Sequence, residues 1–277
     1  MANEDKPGET TQFIQKMDAE LLGWEDPAAH LREALDQDHL CLYAQPIIDL
    51  RPESSSPGNI AMVEVLVRLR EEEARMLPPG EFLPAFEHYK MMAELDRWVV
   101  RSALQTLARG GSRNAIRQLG VNVSTQTIEE PGFAAYVATQ LREVRLAPAT
   151  LVFEIDEGDA LDRRAAAERF AGEIKGIGCE VTLDGFARRS VSFNSLRALR
   201  VDYVKVDGTV IRNILRSGSA AAKLKAILRV GEVTGVSVIA ECVEEKEVLD
   251  ALRQLKVGFA QGFGVRKPEL MEGLFRS

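Results

Sequence analysis

The sequence predicts a closed (β/α)8-type barrel whose first strand runs antiparallel to the others. Eight short segments rich in apolar and β-branched residues recur along the chain, and helical stretches separate most of them. Such repetition requires parallel pairing through right-handed crossovers, and eight strands favour a closed barrel over an open doubly wound sheet. Residues 51–59, which join the first two strands, are rich in Pro, Ser and Gly. This connection has no helical pattern and indicates a hairpin-like, antiparallel start.

The predicted elements follow one another in a regular order. The strands are expected at residues 40–48, 60–69, 119–123, 151–155, 181–183, 203–206, 236–240 and 257–263. The helices between them are expected at residues 94–109, 131–144, 162–177, 220–234 and 245–255. Together these elements form one barrel domain, which we place at residues 39–277.

Residues 1–38 are predicted to form a helical lead-in. Phe13, Met17 and Leu21 repeat at helical spacing, and Asp26-Pro27 is a typical helix start, with a capping acid before proline at the first helical position. A helix with one apolar face must bury that face. Two occupants are open at this point: the outer helices of the barrel, or a partner chain, either a second copy or an effector protein.

The composition excludes several classes of function. The chain of 277 residues carries 42 acidic and 35 basic side chains, and a net charge of −7 disfavours a nucleic-acid polymer as partner. No membrane insertion is expected, because no apolar run approaches the length of a membrane span. The N-terminus also lacks the pattern of a signal peptide. Three widely spaced cysteines, Cys41, Cys179 and Cys242, indicate a reducing cytoplasm.

Polar residues recur at the ends of seven predicted strands. They are Glu64, Arg68, Asn122, Glu154, Asp156, Asp184, Lys205, Asp207, Glu241 and Gln261. Any one of the acids could simply cap the following helix. In a barrel, however, these ends converge on one mouth, where the active sites of barrel enzymes lie. Carboxylate and amide oxygens suit Mg²⁺, Mn²⁺ or Ca²⁺ better than zinc.

The same residues carry a resemblance to a known family. The matching segments are Gln45-Pro46-Ile47, Glu64-Val65-Leu66-Val67-Arg68, residues 79–87, Leu95-Asp96-Arg97-Trp98-Val99, Val121-Asn122-Val123-Ser124, Glu154-Ile155-Asp156-Glu157, Val204-Lys205-Val206-Asp207, Ala240-Glu241-Cys242-Val243-Glu244, Gln261-Gly262 and Lys267-Pro268. Over residues 39–268 the chain resembles the EAL domain, the family of cyclic di-GMP phosphodiesterases and their inactive relatives.

The resemblance implies a site at the barrel mouth where two Mg²⁺ or Mn²⁺ ions cut cyclic di-GMP to pGpG. It implies that Glu64, Asn122, Glu154 and Asp184 surround the first metal. Glu241 matches a metal-site glutamate that is also proposed as general base, and Lys205 matches a lysine beside the attacking water. Glu157 matches a residue that braces the loop after the fifth barrel strand. The positions matching nucleotide contacts are Gln45, Glu64, Leu66, Arg68, Asp96 and Gln261.

One loop departs from the family pattern. Where the family has Asp-Asp-Phe-Gly-Thr-Gly, this chain has Asp184-Gly185-Phe186-Ala187-Arg188-Arg189. Gly185 replaces a ligand of the second metal and offers no donor. Ala187 and Arg189 replace glycines, which penalises any backbone conformation with positive φ. Arg188 and Arg189 could repel a divalent ion, meet a phosphate directly, or simply lie in solvent.

Three functions therefore stay open. The favoured hypothesis is a cyclic di-GMP receptor that needs no metal to bind its ligand and has weak or no hydrolysis. The second is a slow phosphodiesterase that uses Mg²⁺ or Mn²⁺ and the acids that survive. The third is a protein-interaction module that does not bind the nucleotide. In each case a protein partner or self-association, through the N-terminal helix or the barrel surface, is expected.

Overall fold

The structure is a computed structural model that describes residues 24, 26–37, 39–51, 59–70, 76–110, 116, 118–188 and 193–274. The predicted apolar stripe of Phe13, Met17 and Leu21 lies outside the described residues, as does Arg189. In the described part of the chain, no helix combines the length and the apolar character needed to cross a membrane.

The strands form one sheet that closes into a barrel. They are β1 (Leu40–Asp49), β2 (Ile60–Arg70), β3 (Met76–Leu77), β4 (Leu119–Asn122), β5 (Leu151–Asp156), β6 (Glu180–Phe186), β7 (Tyr203–Val206), β8 (Ser237–Ala240), β9 (Phe259–Gln261) and β10 (Glu269–Leu270). Among these described strands the order β1-β9-β8-β7-β6-β5-β4-β2 closes through β1–β2 pairing, and β3 and β10 pair outside the ring. β1 is antiparallel to both β2 and β9, whereas the other neighbours in the ring are parallel. The predicted fold class is confirmed.

The helices lie outside the barrel. They are α1 (Pro27–Asp36), α2 (Pro79–His88), α3 (Met92–Gly110), α4 (Thr125–Glu129), α5 (Phe133–Val144), α6 (Glu157–Asp162), α7 (Arg164–Gly176), α8 (Phe193–Leu199), α9 (Gly208–Ile211), α10 (Gly218–Thr234), α11 (Lys246–Gln254) and α12 (Met271–Leu274). The helix expected at residues 131–144 begins only at Phe133, because Gly132 has a left-handed φ of 90°. α2 and α8 were not predicted; the proline inside α2, Pro84, weakens its helical pattern.

Three short helices begin directly after strands, and the residue before each one caps it. Ser124 accepts a hydrogen bond from the Thr127 amide at the start of α4. Asp156 accepts from the amides of α6, and Asp207 accepts from the amide of Thr209 in α9. The capping alternative therefore holds for these two strand-end acids. It also fixes their carboxylates at the mouth.

α1 contributes to the core of the barrel. Leu31 and Ala34 are fully buried in the main hydrophobic cluster, and Trp24 also joins it. The Trp24 ring stacks on His30 with 4.3 Å between centroids. The capping interaction expected from Asp26 is present, since its carboxylate accepts a hydrogen bond of 3.0 Å from the Ala29 amide. The division at residue 38 stays a prediction, although residues on its N-terminal side pack with the barrel.

Candidate functional site

The centre of the mouth is a hydrogen-bonded group that we call the lysine cluster: Glu64, Asn122, Glu154, Lys205 and Gln261. Lys205 Nζ donates to Glu154 Oε2 at 2.5 Å and to Glu64 Oε2 at 2.9 Å. Asn122 Nδ2 donates to Glu64 Oε1 at 2.8 Å, and Gln261 Nε2 donates to Glu64 Oε2 at 2.7 Å. Five strand-end residues singled out in the sequence are thus brought together in one network.

Strand register and one glycine create this proximity. Glu64 pairs with Gly120 across β2 and β4, and Asn122 pairs with Glu154 across β4 and β5. A Cβ atom on Gly120 would collide with Oε1 of Glu154. Only glycine at position 120, on the strand β4 beside β5, therefore leaves room for the Glu154 carboxylate where it contacts Lys205.

The charges at the lysine cluster are unbalanced, because the Lys205 ammonium faces the carboxyl groups of Glu64 and Glu154 and of the nearby Asp184. Burial raises the pKa of Glu154 to about 8, against the opposing effect of Lys205. Burial also acts on Glu64, but Lys205 together with hydrogen bonds from Asn122 and Gln261 holds its pKa below the usual value. Although burial alone would lower the pKa of Lys205, the acids raise it well above normal. Lys205 thus stays charged, and Glu154 is the carboxyl of the cluster that binds a proton most readily.

Asp184 and Glu241 stand next to this cluster. Burial and the charge of Glu64 raise the pKa of Asp184, and its Oδ1 is buried without a hydrogen-bond partner among the described residues. Glu241 Oε1 accepts a hydrogen bond of 2.7 Å from the Gly208 amide. Burial and the nearby charge of Asp184 raise the pKa of Glu241 to about 7. A carboxyl with this pKa is suited to proton transfer near neutral pH.

The residues around Asp184 fit a single hard cation by their chemistry but not by their present arrangement. Glu64, Asn122, Glu154 and Asp184 offer oxygen donors, and the unpartnered Asp184 oxygen is available. Within the described ranges, however, no three Asp, Glu, His or Cys side chains converge so as to hold a metal ion. Lys205 bridges Glu64 and Glu154 instead.

On the other side of Asp184 lies a second group, which we call the arginine bridge: Asp156, Arg188 and Asp207. Arg188 Nε donates to Asp207 Oδ2 at 2.8 Å, and its Nη1 donates to Asp156 Oδ2 at 3.1 Å. These strong acceptors raise the pKa of Arg188 further, the hydrogen bond to Asp207 contributing most. Hydrogen bonds from Thr209 and from Arg188 lower the pKa of Asp207 despite its burial.

The loop that carries Arg188 has positive φ at Ala187, where the family pattern has glycine. Gly185 has φ of 66° and Ala187 has φ of 67°. The Ala187 amide donates to Glu157 Oε2 at 3.2 Å, so Glu157 contacts the loop that the family resemblance assigns to it. The penalty expected at Ala187 is therefore a strain of about 1–2 kcal/mol that the chain tolerates.

The predicted nucleotide contacts are only partly assembled. Gln45 lies beside Gln261, whose Nε2 donates to Gln45 Oε1 at 3.4 Å. Arg68 lies over the Tyr43 ring at 5.5 Å and donates to the Val67 carbonyl at 2.8 Å. Leu66 is half-buried on the same strand, two residues along from Glu64.

Asp96 has different partners. Its Oδ2 accepts from the Ser124 amide at 2.9 Å, the Ser124 hydroxyl at 2.8 Å and the Thr127 hydroxyl at 2.6 Å. Burial raises the pKa of Asp96 to about 6. The carboxylate joins α3 to the start of α4, and its contact with a nucleotide stays a prediction.

Sequence reasoning did not identify the arginine bridge. The sequence shows Asp156 and Asp207 as strand-end acids and Arg188 as a loop cation, but nothing in it joins the three residues. The available signal was their position: β5, β6 and β7 are neighbours in the barrel, so a cation after β6 lies between acids that follow the two flanking strands.

Comparison with known proteins identifies the family. Residues 28–268 match the family model described as EAL domain. The chain is 31% identical over 242 residues to the cyclic di-GMP phosphodiesterase PdeB of Shewanella oneidensis, covering 87% of this chain and 28% of PdeB. The chain thus spans about a third or less of the curated relatives it matches first.

Solved structures agree with this match. The EAL domain of FimX from Pseudomonas aeruginosa, bound to c-di-GMP, superposes with a TM-score of 0.79 at 27% identity, covering 91% of this chain and all (100%) of the other. A structure described as the PaMucR phosphodiesterase in complex with c-di-GMP gives a TM-score of 0.79 at 26% identity, covering 90% of this chain and 99% of the other. With a family match across most of its length and this shared barrel, the chain belongs to the EAL domain family.

Proposed function

We propose that this chain is a receptor for cyclic di-GMP that binds the nucleotide at the barrel mouth without a divalent cation and hydrolyses it weakly or not at all. The observation that carries the proposal is the loop after β6, where Gly185 offers no donor and the Arg188 guanidinium lies against it. A site without a second cation loses part of the clamp on the attacking and leaving oxygens.

Ligand binding is supported by the part of the site that is kept. Gln45, Glu64 and Gln261 are linked by hydrogen bonds at positions that match nucleotide contacts in the family. Arg68 adds a half-buried cation on the same strand as Glu64. FimX and PaMucR were both solved with c-di-GMP on barrels of this shape. A pure protein-interaction module gives no reason for these residues to assemble.

The second candidate function is a slow cyclic di-GMP phosphodiesterase that uses Mg²⁺ or Mn²⁺. A specific observation favours it: Lys205 and Glu241 stand beside the four oxygen donors around Asp184, and Glu241 has a pKa of about 7. In this function Lys205 and Glu241 would act on the attacking water, and the metal would have to displace Lys205 from Glu64 or Glu154.

Calorimetric titration of cyclic di-GMP decides between these functions. We expect wild type to bind in EDTA, and Arg68→Ala to weaken binding by about 1.5–3 kcal/mol, the range for hydrogen bonds to charged groups. Arg164→Ala, which removes an exposed ion pair with Glu168 on α7, is the matched control and should bind as wild type does. Product analysis of the same samples with Mg²⁺ or Mn²⁺ measures pGpG. No binding in EDTA, but binding and pGpG formation with metal, would establish the phosphodiesterase instead.

A further inference from the structure

The arginine bridge is a preorganised cation position. Asp207 is almost buried, with a side chain 8% exposed, and Thr209 fixes its Oδ1 through the amide at 2.9 Å and the hydroxyl at 2.5 Å. Asp156 is fixed from the other side, because its Oδ1 accepts a 2.7 Å hydrogen bond from the Gly158 amide. In each acid one oxygen caps a helix and the other accepts from Arg188. Both acceptors are therefore held in place by the starts of the helices that follow them.

Gly185 and Arg188 depend on the same space. A Cβ atom on Gly185 would lie 2.5 Å from Nη2 and 2.9 Å from Cζ of Arg188. A side chain at position 185 therefore cannot coexist with the guanidinium in its present position. The φ of 66° at Gly185 adds a second obstacle to most side chains. The absence of a side chain at position 185 thus leaves the space that the guanidinium occupies.

We propose that the Arg188 guanidinium takes the place of the second divalent cation: it neutralises Asp156 and Asp207, excludes a metal ion from this side of the mouth, and presents Nη2 to a phosphate oxygen of the bound dinucleotide. The contact between Nη2 and the phosphate rests on the proposed function. In the described part of the chain Nη2 has no hydrogen-bond partner, so its two N–H groups are available. Guanidinium–phosphate pairs are charge-assisted and directional, which gives Arg188 a binding role that a hydrated ammonium would fill less well.

The surroundings favour this role over that of a solvated surface arginine. Asp156, Asp184 and Asp207 lie on or directly after three adjacent strands, β5, β6 and β7. Without a cation here, a dinucleotide with two phosphodiesters would meet unscreened carboxylates. With Arg188 in place the acids accept hydrogen bonds, and the phosphate meets a donor.

Manganese binding tests the exclusion of metal without any nucleotide. Bound Mn²⁺ per chain would be counted by electron paramagnetic resonance in wild type, in Arg164→Gln as control, and in the double variant Gly185→Asp/Arg188→Thr. We expect the double variant to bind one more Mn²⁺ per chain than wild type, and the control to equal wild type. An unchanged count in a folded double variant overturns the inference, since removing the guanidinium would then not open a metal position.

Cyclic di-GMP titration in EDTA tests the phosphate contact. We expect Arg188→Gln to weaken binding about tenfold or more, and Arg188→Lys to weaken it less, because a lost hydrogen bond to a charged group corresponds to that range. Equal affinities of Arg188→Gln and wild type, with Arg68→Ala clearly weaker, would overturn the phosphate contact. Failure of wild type to bind in EDTA would instead remove the proposed function, and the manganese count would still decide whether Arg188 replaces a cation.

Discussion

The lysine cluster and the arginine bridge solve the same problem in different surroundings. Each places one basic side chain between two strand-end acids, but the Lys205 side chain is 2% exposed and the Arg188 side chain is 52% exposed. Water screens the second group and not the first. We therefore expect the buried cation to be needed for the stability of the barrel, and the exposed one to be exchangeable with an effect on ligand binding.

The largest effect is expected for Lys205→Met. Removal of the ammonium leaves the Glu64 carboxylate without its cation and Glu154 without its donor, and breaking a buried pair in this way costs about 3–5 kcal/mol in free energy of unfolding. Urea denaturation at pH 8 measures the loss. Lys246→Met is the matched control, because the Lys246 side chain is 83% exposed and its pair with Asp250 spans one helical turn. A loss under about 1 kcal/mol would contradict the description of Lys205 as the buried counter-ion.

The next largest effect is expected in the rate of cyclic di-GMP hydrolysis. Loss of one electrostatic stabiliser typically costs 10²–10³ in rate, so we expect pGpG formation at least about 100-fold slower than in an EAL phosphodiesterase with the Asp-Asp-Phe-Gly-Thr-Gly loop. Gly185→Asp alone should restore little, because its side chain meets the Arg188 guanidinium. The combined variant Gly185→Asp, Ala187→Gly, Arg188→Thr, Arg189→Gly is the proper test. Chromatography of pGpG with Mg²⁺ or Mn²⁺ measures each rate, and a wild type as fast as the intact enzyme would show the lysine cluster to be sufficient.

The lysine cluster and the neighbouring Glu241 also make the stability of the chain depend on pH. Glu154 has a pKa of about 8 in the folded chain, above the usual value of 4.5, so the folded state binds more protons than the unfolded state between those values. Stability contributed by protonated Glu154 is therefore present below pH 4.5 and lost as the pH rises to 8, with a slope of up to about 1.4 kcal/mol per pH unit. Glu241, with a pKa of about 7, acts in the same direction.

Denaturation midpoints between pH 5 and pH 8 measure this dependence. We expect wild type to lose stability across the range, and Glu154→Gln to reduce the slope because its side chain cannot titrate. Asp156→Asn is a matched control from the exposed arginine bridge and should leave the slope as it is in wild type. A wild-type profile that rises toward pH 8 would contradict the assignment of a proton to Glu154.

The sequence predicted the barrel better than it predicted the mouth. Strand periodicity and the Pro-, Ser- and Gly-rich connection before Asn59 were enough to predict eight barrel strands and the antiparallel β1. The short helices α4, α6 and α9 were missed, because four to six residues are too few to show a helical period.

At the mouth, the residue types predicted the lysine cluster, since acids at strand ends must meet in a closed barrel. The residue types did not predict the partners of Asp96 or Arg188. Those depend on rotamers and on contacts between loops that are distant in sequence, such as the pair of Arg188 with Asp156. Asp96 illustrates the consequence: family resemblance assigns it to the ligand, while its present hydrogen bonds go to α4.

The smallest effect is expected for Arg188→Gln on the stability of the unliganded chain. Arg188 makes two ion pairs, but an exposed guanidinium is screened by water, and such pairs typically contribute about 0.2–1 kcal/mol.

A double-mutant cycle of Arg188→Gln with Asp156→Asn should give a coupling energy at the low end of that range, because both side chains are partly exposed. The cycle with Asp207→Asn should give a larger value, since Asp207 is almost buried and Arg188 is the cation that donates to its Oδ2. A coupling above about 2 kcal/mol would mean that Arg188, like Lys205, is needed for folding, and the distinction between an exchangeable and a structural cation would fail. A small coupling together with a large loss of cyclic di-GMP affinity would show that this arginine is kept at the mouth for the ligand and not for the fold.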